Sequence, residues 1–181
     1  MRIIRGSHQR RLIHPPANLP VRPTTDLAKE SLFNVLDHYV DFESIRAIDL
    51  FSGTGNISYE LVSRGASHVI AVEQNPRCAR FIHETGILLG MNQLKVVRAD
   101  VFGYLKHPSG NNDLVFADPP YDMKQLADLP ELVLKQELLK TGGLFVLEHP
   151  REYDFTPAAF FVEKRQYGKV NFSIFLFEPN A

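Results

Sequence analysis

The sequence predicts an α/β fold built on a mostly parallel sheet that ends in an antiparallel hairpin. Three observations carry this. Apolar runs alternate with helical patterns from Ile45 to Glu148, and four of those runs close on an acid: Asp49, Glu73, Asp100 and Asp118. The first run feeds directly into a glycine turn, Ser52-Gly53-Thr54-Gly55. The rhythm then breaks, because residues 160–166 and Val170 to Phe177 read as two strands folded back around Gly168. Parallel strands bring their C-terminal ends to one edge, so the four acids are expected to line that edge together.

Residues 1–25 are expected to form an arm and residues 26–181 a core, within one domain of 181 residues. The arm holds Arg2, Arg5, Arg10, Arg11 and Arg22 and no acid, against a whole-chain net charge of −1. Arginines alternating with Ile3, Ile4, Leu12 and Ile13 predict a small hairpin. Its aliphatic side would pack on the core and its basic side would meet phosphates. The alternative is a solvated surface hairpin. Next, residues 26–39 read as a helix capped by Thr24 or Thr25, with Leu27, Ser31, Phe33 and Leu36 near one face.

Ile48-Asp49-Leu50-Phe51-Ser52-Gly53-Thr54-Gly55-Asn56 reads as a strand, a glycine turn and the start of a helix. Ile57, Leu61 and Val62 repeat at helical spacing, and Gly65 sits where a glycine ends a helix. Such a turn lets backbone amides approach a ligand closely. A dinucleotide fingerprint requires glycine three positions after Gly55, where this chain has Ser58. Asp49 would also repel a pyrophosphate. It suits a cation, and S-adenosylmethionine (SAM) carries a sulfonium and an ammonium without a phosphate. Glu73, closing Val69-Ile70-Ala71-Val72, stands where an acid takes two ribose hydroxyls. Asp100, after Leu94 to Ala99, would accept from the adenine amine while the Val101 amide serves a ring nitrogen. Asp100 equally fits as the N-cap of a short helix over residues 101–106.

Asp118-Pro119-Pro120-Tyr121 follows the apolar run Leu114-Val115-Phe116-Ala117. Two prolines stiffen the backbone before any ligand arrives. Asp118 and the Pro119 carbonyl supply acceptors for an amine's hydrogens, and Tyr121 a ring for stacking. A strand-ending turn is the plain alternative for an isolated segment of this kind. A fifth parallel strand, Leu144 to Glu148, is expected after a turn at Gly142-Gly143; His149 after it is expected in a structural hydrogen-bonding role, the alternative being a place near the target pocket.

On these residues the chain resembles the class I SAM-dependent methyltransferases, and more narrowly the RsmD type of 16S ribosomal RNA guanine-N2 methyltransferase. The narrower likeness rests on Met1-Arg2-Ile3-Ile4 with Gly6, on Arg22-Pro23-Thr24-Thr25-Asp26 with Glu30-Ser31-Leu32-Phe33-Asn34, on Asp49 through Gly55, and on Asp118 to Tyr121. It covers nearly the whole chain. The resemblance implies a Rossmann-like, seven-stranded sheet and SAM as methyl donor. It implies a guanine of 16S ribosomal RNA as acceptor, either in free RNA or within an assembling small subunit. It places Asp49, Phe51, Gly53, Gly55, Glu73, Asp100 and Val101 around SAM, and Asp118, Pro119, Pro120 and Tyr121 around the guanine amine. One departure is Gln9-Arg10-Arg11, where such enzymes often carry a basic Arg-Gly-Arg-like stretch. His8 and His14, lacking a Cys or acidic partner at ligand spacing, read as surface or RNA-facing groups and not as metal ligands.

Cys78 is the single cysteine, which precludes an internal disulfide and suits a reducing cytosol; it reads as a small buried residue. No stretch approaches the roughly 20 apolar residues that span a bilayer, and the N-terminus lacks a signal-like apolar core, so a cytoplasmic protein is expected. Competing readings are an adenine-N6 or cytosine-N4 DNA methyltransferase, a glutamine methyltransferase, a non-catalytic RNA-binding relative and a nicotinamide oxidoreductase. Absence of a target-recognition domain weighs against the first. The second usually has Asn in place of Asp118. Intact acids weigh against the third, and Ser58 with Asp49 against the last.

Overall fold

The structure is a computed structural model that describes residues 1–17, 19 and 25–179. Arg22 and Thr24 lie outside the described residues, as does most of the Arg22 to Asp26 segment. Helix α1 spans Asp26–Leu36, and its cap is Thr25, whose hydroxyl accepts from the Ala28 amide at 3.2 Å. The helix stops three residues short of the expected end, where the chain tightens into turns that return Tyr39 and Val40 amides to the Leu36 carbonyl. Its inward face is Ala28, Lys29, Leu32, Phe33 and Leu36, an i, i+4 set. Leu27, expected to join that face, is exposed.

Among the described residues there are seven strands, the first five alternating with helices and the last two forming the hairpin: β1 (Arg46–Leu50), β2 (His68–Val72), β3 (Leu94–Val97), β4 (Asn112–Ala117), β5 (Leu139–His149), β6 (Phe161–Tyr167) and β7 (Val170–Phe177). They form one sheet in the order β3-β2-β1-β4-β5-β7-β6. Strands β1 to β5 pair in parallel, and β7 pairs antiparallel with both β5 and β6. Between them run α2 (Asn56–Ser63), α3 (Pro76–Leu88), α4 (Val101–Tyr104), a 3-10 turn at Leu126–Asp128 and α5 (Leu129–Lys135). Gly142-Gly143 is not the turn that precedes β5. It lies inside that strand, where the register slips between Asn112 and Leu114 and Gly142 takes a φ of 78°.

Because side chains alternate along a strand, successive residues feed two cores. Ala47, Val69, Phe116 and Val146 pack with Leu32, Phe33, Leu61 and Ile82 of α1, α2 and α3. Ile48, Ile70, Val115 and Phe145 pack on the other face with Val101, Leu129 and Val133 of α4 and α5. Helix α2 ends in a Schellman motif, with Gly65 at a φ of 110° and the Ala66 amide reaching back to the Leu61 carbonyl. Cys78 on α3 is fully buried.

The arm is less regular than a hairpin. Residues 1–4 and 10–13 lie antiparallel through backbone bonds such as Ile3 N to Arg11 O at 3.0 Å, with a single bridge between Arg2 and Leu12. Ile3 and Ile13 join the core beside α1, whereas Leu12 is exposed and Ile4 half-buried, so the aliphatic face is only partly formed. What fastens the arm is α2. Glu60, fully buried, accepts from the Ile4 and Arg5 amides at 2.8 and 3.1 Å. Ser63 accepts from the His8 amide, and its hydroxyl donates to the Arg5 carbonyl. The His8 ring bonds the Leu89 carbonyl at 2.9 Å, so it belongs to this strap and not to an open face.

Candidate active site

One cleft of about 1080 Å³ runs along the C-terminal edge of β1, β2, β4 and β5. Its lining includes Asp49, Glu73, Asp100 and Asp118, so the four acids meet on one edge as their strand positions require. Asp49 is on the α1–α3 face of β1, and its carboxylate accepts from both the amide and the hydroxyl of Ser58 on α2. Ser58 is therefore the glycine-substituting residue that supports the acid. Burial pushes the Asp49 carboxyl up to about 7, and Glu73 adds to the effect while the Ser58 bonds oppose it.

The glycine turn supplies shape more than donors. The Gly53 amide is spent on Glu73 at 2.8 Å and the Gly55 amide on the Ser52 carbonyl at 2.7 Å. Gly55 has a φ of 81°, and a Cβ there would sit 2.8 Å from the Tyr59 ring. Phe51 also has a left-handed backbone, at a φ of 61°. Glu73 accepts in addition from the Asn75 amide at 2.7 Å, and burial raises its pKa in spite of these bonds. Asp100 is the N-cap of α4, bonded to the Gly103 amide at 2.9 Å; it lines the cleft beside Val101 all the same.

Asp118 and Pro119 follow β4, with Pro119 buried and Tyr121 42% exposed at the cleft mouth. The Tyr121 hydroxyl donates to Glu148 Oε1 at 2.9 Å. Burial and the adjacent Glu148 carboxylate raise the Tyr121 pKa, so the phenol keeps its proton. Glu148 was missed in the sequence, although it closes the β5 run just as the other acids close theirs. His149, the next residue, points to the opposite face. It is fully buried, bonds Ser173 and the Pro150 carbonyl at 2.8 and 2.9 Å, and is kept neutral by burial. The opposite wall also went unseen: Leu27 and Ser31 of α1, and Gln166 to Val170 at the β6–β7 turn, which brings Lys169 to the rim.

The arm's arginines divide into two groups. Arg5 pairs with Asp37 at 2.9 Å and Arg2 lies 3.9 Å from Asp26, so part of their charge is answered. Arg10 and Arg11 are exposed and have no ion-pair partner among the described residues. No helix among the described residues is long and apolar enough to cross a membrane.

This strand order, with a glycine turn after β1 and an antiparallel β7, defines a Rossmann-like class I methyltransferase. The model of the family described as "Conserved hypothetical protein 95" matches residues 1–176, and the chain belongs to that family, the RsmD-type methyltransferases. YlbH of Bacillus subtilis, which bears a provisional rRNA methyltransferase name, is 31% identical over 97% of this chain and 98% of its own. The ribosomal RNA small subunit methyltransferase D of Buchnera aphidicola subsp. Baizongia pistaciae is 28% identical over 97% and 91%. Among solved structures, a hypothetical protein of Thermus thermophilus aligns at a TM-score of 0.85, 28% identity and 97% and 99% coverage. An RNA methyltransferase of Salinibacter ruber, solved with S-adenosyl-L-homocysteine, shares the fold at a TM-score of 0.70, 15% identity and 88% and 96% coverage.

Proposed function

We propose that this protein methylates the exocyclic N2 of a guanine in 16S ribosomal RNA, using SAM. The observation that carries the reading is one cleft that joins a buried acid beside a glycine turn to the stiff Asp118-Pro119-Pro120-Tyr121 segment. The relatives' rRNA methyltransferase names support the class of substrate.

The donor set fits SAM. Among the described residues the cleft's glycine-turn end is lined by Asp49, Glu73 and Asp100 with no Lys or Arg beside them, which favours a cationic ligand and disfavours a phosphate. Asp49 answers its positive charge, Glu73 takes ribose hydroxyls through the lone pairs its backbone bonds leave, and Asp100 with Val101 meets the adenine. When bound, SAM supplies an electrophilic methyl group. The protein's own part is to seat the amine. Asp118 and the Pro119 carbonyl accept its two hydrogens, so the nitrogen pyramidalises and aims its lone pair, while Tyr121 stacks the base for about 1–3 kcal/mol. The acidic proton arises only as N2 becomes cationic, and Asp118 is the neighbouring acceptor. Holding two reactants aligned contributes about 7–11 kcal/mol to such a step.

The Asp49 carboxyl makes SAM affinity depend on pH. A cationic ligand favours the ionised form, so affinity should rise between about pH 6 and about pH 8 and level off above, and Asp49→Asn should flatten the profile. The sign for stability is the reverse: Asp49 holds its proton more tightly folded than unfolded, so ionising it as pH rises toward 7 detracts from the folded state. Calorimetric titration of SAM across that range measures the first effect. Arg10 and Arg11 are proposed to meet RNA phosphates, with Arg2, Arg5 and Arg22 of the same arm supporting them. Replacing Arg10 and Arg11 with Glu should weaken RNA binding and flatten the log K against log salt slope by about 0.7–0.9 per arginine lost. Mapping N2-methylguanine in 16S ribosomal RNA from cells with and without the protein tests the overall reading. One N2-methylguanine should disappear without it, and an unchanged map counts against the proposal.

A further inference from the structure

We infer that Glu148 selects guanine over other amine-bearing bases by accepting the hydrogen on guanine ring N1. This deepens the guanine-N2 reading above and rests on it. Strands β4 and β5 run in parallel with Ala117 opposite Leu147, so Asp118, just past β4, and Glu148, the penultimate residue of β5, lie side by side at the same edge. The alternation of β5 puts Glu148 on the face shared with Asp49 and α1, and it lines the cleft while only 4% exposed. The Tyr121 hydroxyl, 2.9 Å from Oε1, ties this carboxylate to the ring that borders the amine cradle. A phenol held in its protonated form is a donor only toward a carboxylate, so the bond orients Glu148 throughout the neutral range.

Asp118 and the Pro119 carbonyl take the hydrogens of any planar amine, so they cannot tell guanine from adenine or cytosine. The atom beside the amine does that. In guanine it is N1, which carries a hydrogen; in adenine it is N1 and in cytosine N3, both bare acceptors. An ionised carboxylate is acceptor-only with about four lone-pair positions, enough to serve Tyr121, another neighbouring group and a base N–H together. Beside guanine it completes a hydrogen bond. Beside adenine or cytosine it faces a second lone pair in a buried site, where an unmatched polar group is expensive.

The test uses RNA with guanine or 2-aminopurine at the methylated position, because 2-aminopurine keeps the 2-amine and lacks the N1 hydrogen. Wild-type protein is compared with Glu148→Gln, whose amide can donate to the bare N1. The quantity read is the kcat/KM ratio of guanine over 2-aminopurine. Differences in intrinsic amine reactivity and in the 6-oxo group cancel when the two ratios are compared. The expected result is a fall of at least about tenfold in that ratio in Glu148→Gln, with SAM affinity unchanged. A smaller change in a variant that still binds SAM overturns the role of Glu148 and leaves the guanine reading intact. Methylation by wild-type protein at a base other than guanine overturns both. Should Glu148→Gln fail to fold, Tyr121→Phe at its half-exposed position supplies the readout. Its ratio should fall at least about threefold, and a smaller change overturns the inference.

Discussion

Asp118→Ala should bind SAM as wild type does and lose about 10²- to 10³-fold in turnover, the scale of removing one preorganised electrostatic partner. Asp118 lies in the same cleft as the proposed SAM residues but belongs to the β4 end, two strands from Glu73. Removing its carboxylate leaves Asp49 and its Ser58 bonds in place. On the proposed reading the guanine amine would then keep the Pro119 carbonyl alone, and the developing positive charge would lose the Asp118 carboxylate. Single-turnover methylation alongside a SAM titration separates the two quantities. Parallel loss of SAM affinity would assign Asp118 to the cofactor's seat instead.

Glu60→Ala should cost roughly 3–5 kcal/mol of stability, because it leaves the buried Lys29 without its carboxylate and takes from Arg64 one of two, the other being Asp37 at 3.1 Å. Lys29 and Glu60 have fully buried side chains 3.3 Å apart, and Arg64 Nε lies 2.9 Å from the same carboxylate. Lys29 also donates to the Arg2 carbonyl and Asn56 Oδ1, both at 2.7 Å, so one network joins the arm, α1 and the first residue of α2. Burial lowers the Lys29 pKa, and Glu60 is the largest influence opposing that shift. For a chain of this size each kcal/mol moves Tm by about 2–4 °C, so a fall of at least about 6 °C is expected. The Ile4 and Arg5 amides lose their acceptor as well, so proteolysis at Arg5 or Arg10 should accelerate. A melting curve within 2 °C of wild type, to the order of about one kcal/mol, would contradict the network's weight.

The strands and their acids were legible because a buried parallel strand is written as a short apolar run and its end as the first polar residue after it. The same rule extends to Leu144 through Glu148, whose terminal acid reaches the cleft while the more conspicuous His149 beside it does not. Ser58 was read only as a broken glycine pattern; its bond to Asp49 exists in the packing of α2 on β1 and has no local signature. Glu60 sits in a helix whose every residue is buried, a fact set by the arm lying over it and invisible in the helix's own pattern. The arginines looked equivalent in sequence, but Asp26 and Asp37 answer two of them across the fold. Leu27 looked like core by spacing and instead borders the cleft, because α1 turns Ala28 and Leu32 toward the sheet.

The most direct measurement is to incubate the purified protein with methyl-labelled SAM and 16S ribosomal RNA, free and within small subunits, and to identify the labelled atom. The account predicts label on N2 of guanine, lost in Asp118→Ala. Label on adenine N6, cytosine N4 or a protein side chain, or full labelling by that variant, would contradict it.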